Sequence, residues 1–79
     1  MMTLNIVSPE KELFSGEIKE ITVPGTKGEF TILTNHAPIV SSLHEGEVRY
    51  VTIEGSAHTL DISEGFIEAS DNLVTVCIS

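Results

Sequence analysis

Three histidines and one cysteine are the side chains of this 79-residue chain that would most readily bind a metal ion. A zinc site needs three or four ligands that converge on the ion, and structural sites usually place Cys and His in close pairs. His36, His44 and His58 are well separated in the sequence, and Cys77 lies far beyond the last of them. The spacing therefore predicts no metal site. We interpret His44 as a solvated turn residue, His58 as a partly covered strand residue and Cys77 as a small packed hydrophobic residue.

A nucleophilic triad could be drawn from Ser63, His58 and Asp61. Residues 58 and 61 of one extended strand face opposite ways, however, and the sequence contains no Gly-x-Ser-x-Gly nucleophile elbow. The abundant carboxylates are typical of a solvated acidic surface. The sequence thus predicts no catalytic residue and no bound cofactor.

Two segments could bind a ligand or a partner. The glycine-rich loop Pro24–Glu29 is followed by the strand-like Phe30–Leu33, whereas a phosphate loop requires a helix at that point. We expect a wide, charged turn that serves a partner. In Asn35-His36-Ala37-Pro38 the proline stiffens the backbone and removes a ladder donor. This pattern predicts a rigid polar corner, which we expect beside the glycine-rich loop at one end of the fold.

The composition restricts the class of protein. A formal charge of −8 opposes binding to nucleic acid or to an anionic membrane surface, since both require clustered Lys and Arg. An apolar fraction of 41% is too high for a disordered acidic tail. A single cysteine excludes an internal disulfide, and no apolar run approaches the roughly 20 residues that span a bilayer. The first residues, Met1–Leu4, lack signal-peptide features. We expect a soluble domain in a reducing compartment.

The elements that position these residues are predicted to be strands. Turn residues recur at intervals typical of an all-β sandwich, and apolar residues alternate between them. We predict one antiparallel β-sandwich domain over residues 1–79, with a tight hairpin at Gly55-Ser56 and a last strand that is central or in contact with a partner. The nine predicted strands are Leu4–Val7, Glu12–Ser15, Ile18–Val23, Glu29–Leu33, Ile39–Leu43, Glu47–Glu54, Ala57–Ile62, Phe66–Ser70 and Leu73–Ile78.

Several motifs, in order along the chain, carry a resemblance to a known family. They are Phe14-Ser15-Gly16, Gly28–Leu33, Asn35–Ile39, Gly46–Arg49, Gly65–Ala69 and Asp71–Val76. Together they resemble the N-terminal domain of the epsilon subunit of rotary ATP synthase. The chain departs from that family at Phe30-Thr31, where a Leu-Gly-like pair is usual, and at Thr34, where proline is frequent.

The resemblance implies a sandwich of two five-stranded sheets, hence ten strands, and a non-catalytic role in the central rotor stalk. Such a subunit couples rotation of the proton-driven proteolipid ring to the gamma subunit. It is peripheral, at the cytoplasmic face of the bacterial inner membrane, and does not insert into the membrane. Family members commonly continue into an alanine-rich helical hairpin that can inhibit hydrolysis. The sequence ends at Ser79, so we expect a short form that lacks this inhibitory element.

By position, the resemblance also assigns contact residues. Those expected to face the ring are Thr26, Lys27, Gly28, Glu29 and Phe30, with Asn35 and His36 at the same end. Those expected on the gamma side are Ser8, Ser41 and Ser42. Glu29 is expected to bond an arginine of the proteolipid loops, while Ser8 is equally well explained as a turn residue before Pro9.

The alternative interpretation is a free-standing β-sandwich module that recognises a peptide or a carbohydrate. It explains the fold and the lack of catalytic residues equally well. Against it, aromatic residues make up only 5% of the chain and tryptophan is absent, whereas such grooves usually present stacking rings.

Overall fold

The computed structural model describes residues 1–79, which form eight strands and no helix. The all-β sandwich prediction is confirmed. No helix is present that is long and apolar enough to cross a membrane. The strands are β1 (Met2–Val7), β2 (Glu12–Gly25), β3 (Gly28–Leu33), β4 (Ile39–Leu43), β5 (Gly46–Thr52), β6 (Ala57–Ile62), β7 (Gly65–Ser70) and β8 (Leu73–Ile78).

The long strand β2 explains why the structure has eight strands rather than the predicted nine or ten. The predicted strands Glu12–Ser15 and Ile18–Val23 are parts of one continuous strand that does not break at Gly16. The first part of β2 pairs with β1, and the second part pairs with β3 and β5. A register shift between Ile18 and Glu20 marks the bend at which the strand passes from one layer to the other.

The strands form two layers that share β2. The first layer has the order β2–β1–β8–β7–β4, and the second has the order β3–β2–β5–β6. A single pair, Gly25 with Leu43, joins β2 to β4 at one corner. The expectation of a purely antiparallel sandwich is wrong in one place, because β1 and β8 pair in parallel. These are the first and last strands, so no short connection forces them to run antiparallel.

The core lies between the layers and contains 15 buried hydrophobic residues. It follows from the predicted alternation, since every second side chain of a strand points inward. In β8, Val74 and Val76 are fully buried while Leu73 is half exposed. β8 lies between β1 and β7, which confirms the expectation of a central last strand.

Two predicted turns differ in the structure. The hairpin between β5 and β6 has a four-residue loop, 53–56, rather than a tight Gly55-Ser56 turn. Gly55 has a φ of 97°, and the Gly55 N–H donates to the Thr52 carbonyl. The wide turn expected over Pro24–Glu29 is instead a tight turn of two residues, Thr26-Lys27.

Candidate functional site

The predicted contact residues lie at two opposite ends of the sandwich. We call the end that carries Thr26-Lys27 the turn end and the end that carries Asn35–Pro38 the corner end. The six residues of β3 separate them, which at roughly 3.3 Å per residue places them about 20 Å apart. The expectation that Asn35 and His36 lie beside the glycine-rich loop is therefore wrong.

The turn end is held by two glycines and by bonds to β4. Gly28 has a φ of 131°, which side chains rarely adopt. A Cβ atom added to Gly25 would lie 2.7 Å from the Gly28 carbonyl oxygen and 2.7 Å from a ring carbon of Phe30. The Thr26 N–H donates to the Ser42 carbonyl at 3.1 Å. The turn is therefore narrow and fixed, although the side chains of Thr26 and Lys27 are exposed.

Glu29 lies in an exposed chain of three charges. Nη2 of Arg49 is 3.3 Å from Oε2 of Glu29, and Nη1 of Arg49 is 3.5 Å from Oε1 of Glu47. All three side chains are about half exposed, so each pair contributes at most about 1 kcal/mol. Arg49 can therefore release Glu29 at low cost and keep Glu47 as its partner. Sequence reasoning missed Arg49, which follows Glu29 by 20 residues.

The corner end is tied to the turn between β7 and β8 by two asparagines. The Asn35 N–H donates to Oδ1 of Asn72 at 2.6 Å, and Nδ2 of Asn72 donates to Oδ1 of Asn35 at 2.9 Å. Both residues have positive φ values, 68° and 61°. We call this pair the asparagine clasp. Asn35 thus has a structural role that the sequence did not reveal, and the available signal was the turn pair Asp71-Asn72.

The three histidines remain apart in the fold. His36 is exposed at the corner end, where its N–H donates to the Leu33 carbonyl. His44 is exposed at the turn end, as expected. His58 stacks on Tyr50 with ring centroids 5.3 Å apart, and burial raises the pKa of the Tyr50 phenol. No group of three or more His, Cys, Asp and Glu side chains is arranged to hold a metal ion.

The serines assigned to the gamma side lie near the turn end. Oγ of Ser42 and Oγ1 of Thr26 are 3.0 Å apart, so a residue expected on the gamma side contacts one expected on the ring side. The Ser41 hydroxyl donates to the Ser42 carbonyl. Ser8 bonds Lys11 through both its hydroxyl and its backbone N–H, which favours its interpretation as a turn residue. Ser8, Thr26 and Ser42 line one open cleft of about 860 Å³.

The outer faces of the two layers differ in charge. At the edge of the first layer β2 carries Glu17, opposite Thr3. On β1, β4, β7 and β8, however, the outward side chains include a single charged residue, Glu68. We call this surface the low-charge face, and its apolar members Val40, Phe66 and Leu73 are 72%, 48% and 50% exposed. The outer face of the second layer is highly charged. Its charged residues are Glu20, Glu29, Glu47, Arg49 and Asp61.

Comparison with known proteins identifies a family over the whole chain. Residues 1–79 match the model of the ATP synthase delta/epsilon chain β-sandwich domain. The chain is 45% identical over 74 residues to the ATP synthase epsilon chain of Desulfitobacterium hafniense strain Y51, covering 94% of this chain and 55% of the relative. It is 44% identical over 70 residues to the epsilon chain of Chlorobaculum tepidum, covering 89% and 80%. The chain thus spans about half the length of the first of these relatives.

The fold also matches solved structures. A chain in the cryo-EM structure of the Euglena gracilis mitochondrial ATP synthase, OSCP/F1/c-ring, superposes with a TM-score of 0.91 at 23% identity. The match covers 98% of this chain and 49% of that chain. A chain in the central stalk/c-ring structure from Tetrahymena thermophila gives a TM-score of 0.78 at 17% identity. At these identities the likeness extends to the fold alone.

Proposed function

The chain belongs to the ATP synthase delta/epsilon β-sandwich family, and we propose that it is the β-sandwich domain of an epsilon-type subunit in the central stalk. In this role it has no catalytic residue of its own. It couples rotation of the proton-driven proteolipid ring to the gamma subunit, at the cytoplasmic face of the bacterial inner membrane. The observation that carries the proposal is the family match over residues 1–79. The comparisons do not favour a free-standing peptide or carbohydrate module.

The turn end is the proposed contact with the ring, through Thr26, Lys27, Gly28, Glu29 and Phe30. The turn is narrow and depends on Gly25 and Gly28. Its side chains can therefore bind the ring without the entropy cost of ordering a flexible loop. Glu29 is exposed and bonded only to Arg49, so a proteolipid arginine can replace Arg49 while Arg49 retains Glu47. Such an exchange conserves the number of ion pairs.

The low-charge face is the proposed contact with gamma. Ser42 lies on this face opposite Phe66, and Ser8 lies near its turn end. Ser41 is kept in the proposal as the neighbour of Ser42, although it lies on the inner side of β4 opposite Ile67. Interface cores are depleted of charged residues, and this face carries one charge where the opposite face carries several. Phe66, half exposed near the start of β7 and opposite Ser42, would supply the largest apolar contact. Because Thr26 bonds Ser42 directly, the two proposed contacts adjoin.

Asn35 and His36 are also proposed contact residues, but their position differs from the expected one. They lie at the corner end, so a partner that bonds them must extend along β3, about 20 Å from the turn. His36 is exposed, and Nδ1 of its ring bonds the Ala37 carbonyl at 2.6 Å, so Nε2 is the ring atom left for a partner. Asn35 would instead act by holding the corner through the asparagine clasp.

A binding experiment tests the gamma contact. The tagged chain is mixed with the gamma subunit encoded by the same genome, and the complex is isolated on the tag. We expect Phe66→Glu to abolish capture, because a carboxylate would be buried against an apolar surface. Thr59→Glu, a change at another exposed position but on the opposite outer face, is the control and should leave capture unchanged. No capture of gamma by the unmodified chain would refute the proposed function.

A further inference from the structure

The side of the sandwich that carries β3 and β4 has two free strand edges. β3 pairs only with β2, β4 pairs with β7 and meets β2 at one residue, and no ladder joins β3 to β4. A groove of about 500 Å³ runs between them, and the half-buried Phe30 and Ile39 contribute to its lining. We call this groove with its two free edges the seam.

The free edge of β3 presents unbonded backbone groups. Gly25 and Gly28 flank a two-residue turn, so they form a hydrogen-bonded pair of the β2–β3 ladder. Bonded and non-bonded pairs alternate in an antiparallel ladder, so the N–H and C=O of Thr31 point away from β2. The Leu33 carbonyl agrees with this alternation, because it accepts the N–H of His36 at 3.1 Å instead of bonding β2.

The facing edge of β4 is less available. The Ser42 carbonyl accepts the Thr26 N–H at 3.1 Å, which shows that Ser42 directs its backbone away from β7 and towards the seam. By the same alternation Val40 also faces the seam. Each edge has one carbonyl in use, that of Leu33 on β3 and that of Ser42 on β4. By the alternation, three residues of β3 face the seam and only two of β4, so β4 offers fewer free groups. We therefore treat β3 as the strand that pairs and β4 as the opposite wall of the groove.

The other two edges of the sandwich are protected against pairing. The first part of β2 has a β-bulge at Leu13, where the register passes from Phe14 to Glu12. β6 carries Asp61 directly opposite Glu47, so two like charges stand beside that edge. Bulges and charges are the usual means by which proteins prevent edge pairing. β3 has no bulge in its pairing with β2, and although Glu29 stands at its turn end, Leu33 at its corner end is uncharged and 55% exposed.

We propose that the seam binds an extended segment of a partner protein, which adds to β3 as a strand and places an apolar side chain between Phe30 and Ile39. Glu20 and Glu68 stand on the outer faces beside Leu33 and Val40, and neither is in an ion pair. Both carboxylates lie at the corner end of the seam, and Glu29 stands at its turn end. A segment with basic residues at its two ends complements these carboxylates. A second copy of this chain does not, since each copy carries a charge of −8. The inference concerns the backbone edge and does not depend on the partners proposed above.

Amide hydrogen exchange of the ¹⁵N-labelled chain tests this inference. The probe is the capped peptide Lys-Val-Thr-Val-Thr-Val-Lys, which alternates small apolar and hydroxyl side chains between basic ends. Strand addition should slow exchange at Thr31 by at least about fivefold, because its amide gains a partner. The amides of Phe30 and Ile32, already bonded to β2, should not change. This alternation is the signature of a new strand, and a side-chain contact would not produce it.

Two variants of matched exposure complete the test. Leu33→Lys places a positive charge at the seam and should abolish the slowing of exchange, whereas Leu73→Lys, on a central strand, should leave it intact. Absence of slowing at Thr31 in the unmodified chain would overturn the proposal. So would slowing on β6, or equal slowing when the protein concentration is raised without peptide, which would indicate a second copy as the occupant.

Discussion

The asparagine clasp gives the most direct test of how the corner end is held. Asn72→Ala removes two hydrogen bonds, one from the Asn35 N–H and one to the Asn35 side chain. Exposed bonds lie at the low end of the range of about 0.5–1.5 kcal/mol each, so the pair contributes about 1 kcal/mol. Alanine at a φ of 61° adds roughly 1 kcal/mol of backbone strain. The expected loss in free energy of unfolding is therefore about 2 kcal/mol.

Thermal unfolding followed by circular dichroism measures this loss. For a domain of this size 1 kcal/mol corresponds to about 4–8 °C, so Asn72→Ala should lower Tm by about 8–16 °C. Asn72→Gly removes the same bonds but tolerates the positive φ, and should lower Tm by about half as much. A Tm within about 1 °C of wild type for both variants would refute the reasoning, because neither the bonds nor the backbone conformation would then contribute.

Three further outcomes follow from the site. Glu29→Lys should weaken attachment of the catalytic sector to membranes, most strongly at low salt; equal retention in sedimentation across salt concentrations, with Thr59→Lys as control, would contradict the ring contact. His36→Ala should change the free energy of unfolding by no more than about 0.5 kcal/mol, because the side chain is exposed; a collapse of Tm would show that the histidine is structural. Burial raises the pKa of Tyr50, so the unfolded chain loses the phenolic proton at a lower pH and stability should fall as pH rises above about 10. Tyr50→Phe should flatten that fall in urea unfolding, and an identical fall in both proteins would exclude this cause.

The strands could be predicted from the sequence because alternation and turn residues are local signals. Pairing could not be predicted in the same way. The turn signal at Gly16 predicts a break between two strands, yet the backbone continues in β2 because the partner Leu4 lies beside it in the ladder. The parallel pairing of β1 with β8 joins the two terminal strands, and nothing in either segment indicates it.

The site was predicted less well than the fold because its geometry depends on long-range contacts. The loop at Thr26-Lys27 and the corner at Asn35 are near in sequence, but the strand between them carries them to opposite ends. The residues that bond Glu29 and Asn35 are Arg49 and Asn72, which lie 20 and 37 residues further along the chain. Neither Arg49 nor Asn72 could be predicted from the glycine-rich loop or from the Asn35–Pro38 segment alone.

The continuity of β2 through both layers has a mechanical consequence. Two sheets held together only by packed side chains can slide over each other under load, since dispersion contacts resist shear weakly. Here one unbroken backbone runs from Glu12 in the first layer to Gly25 in the second. A force that enters at Thr26-Lys27 is carried into the first layer by covalent bonds and is spread across the ladders with β1, β3 and β5. We therefore expect β2 to oppose sliding of one layer over the other when the turn end is loaded.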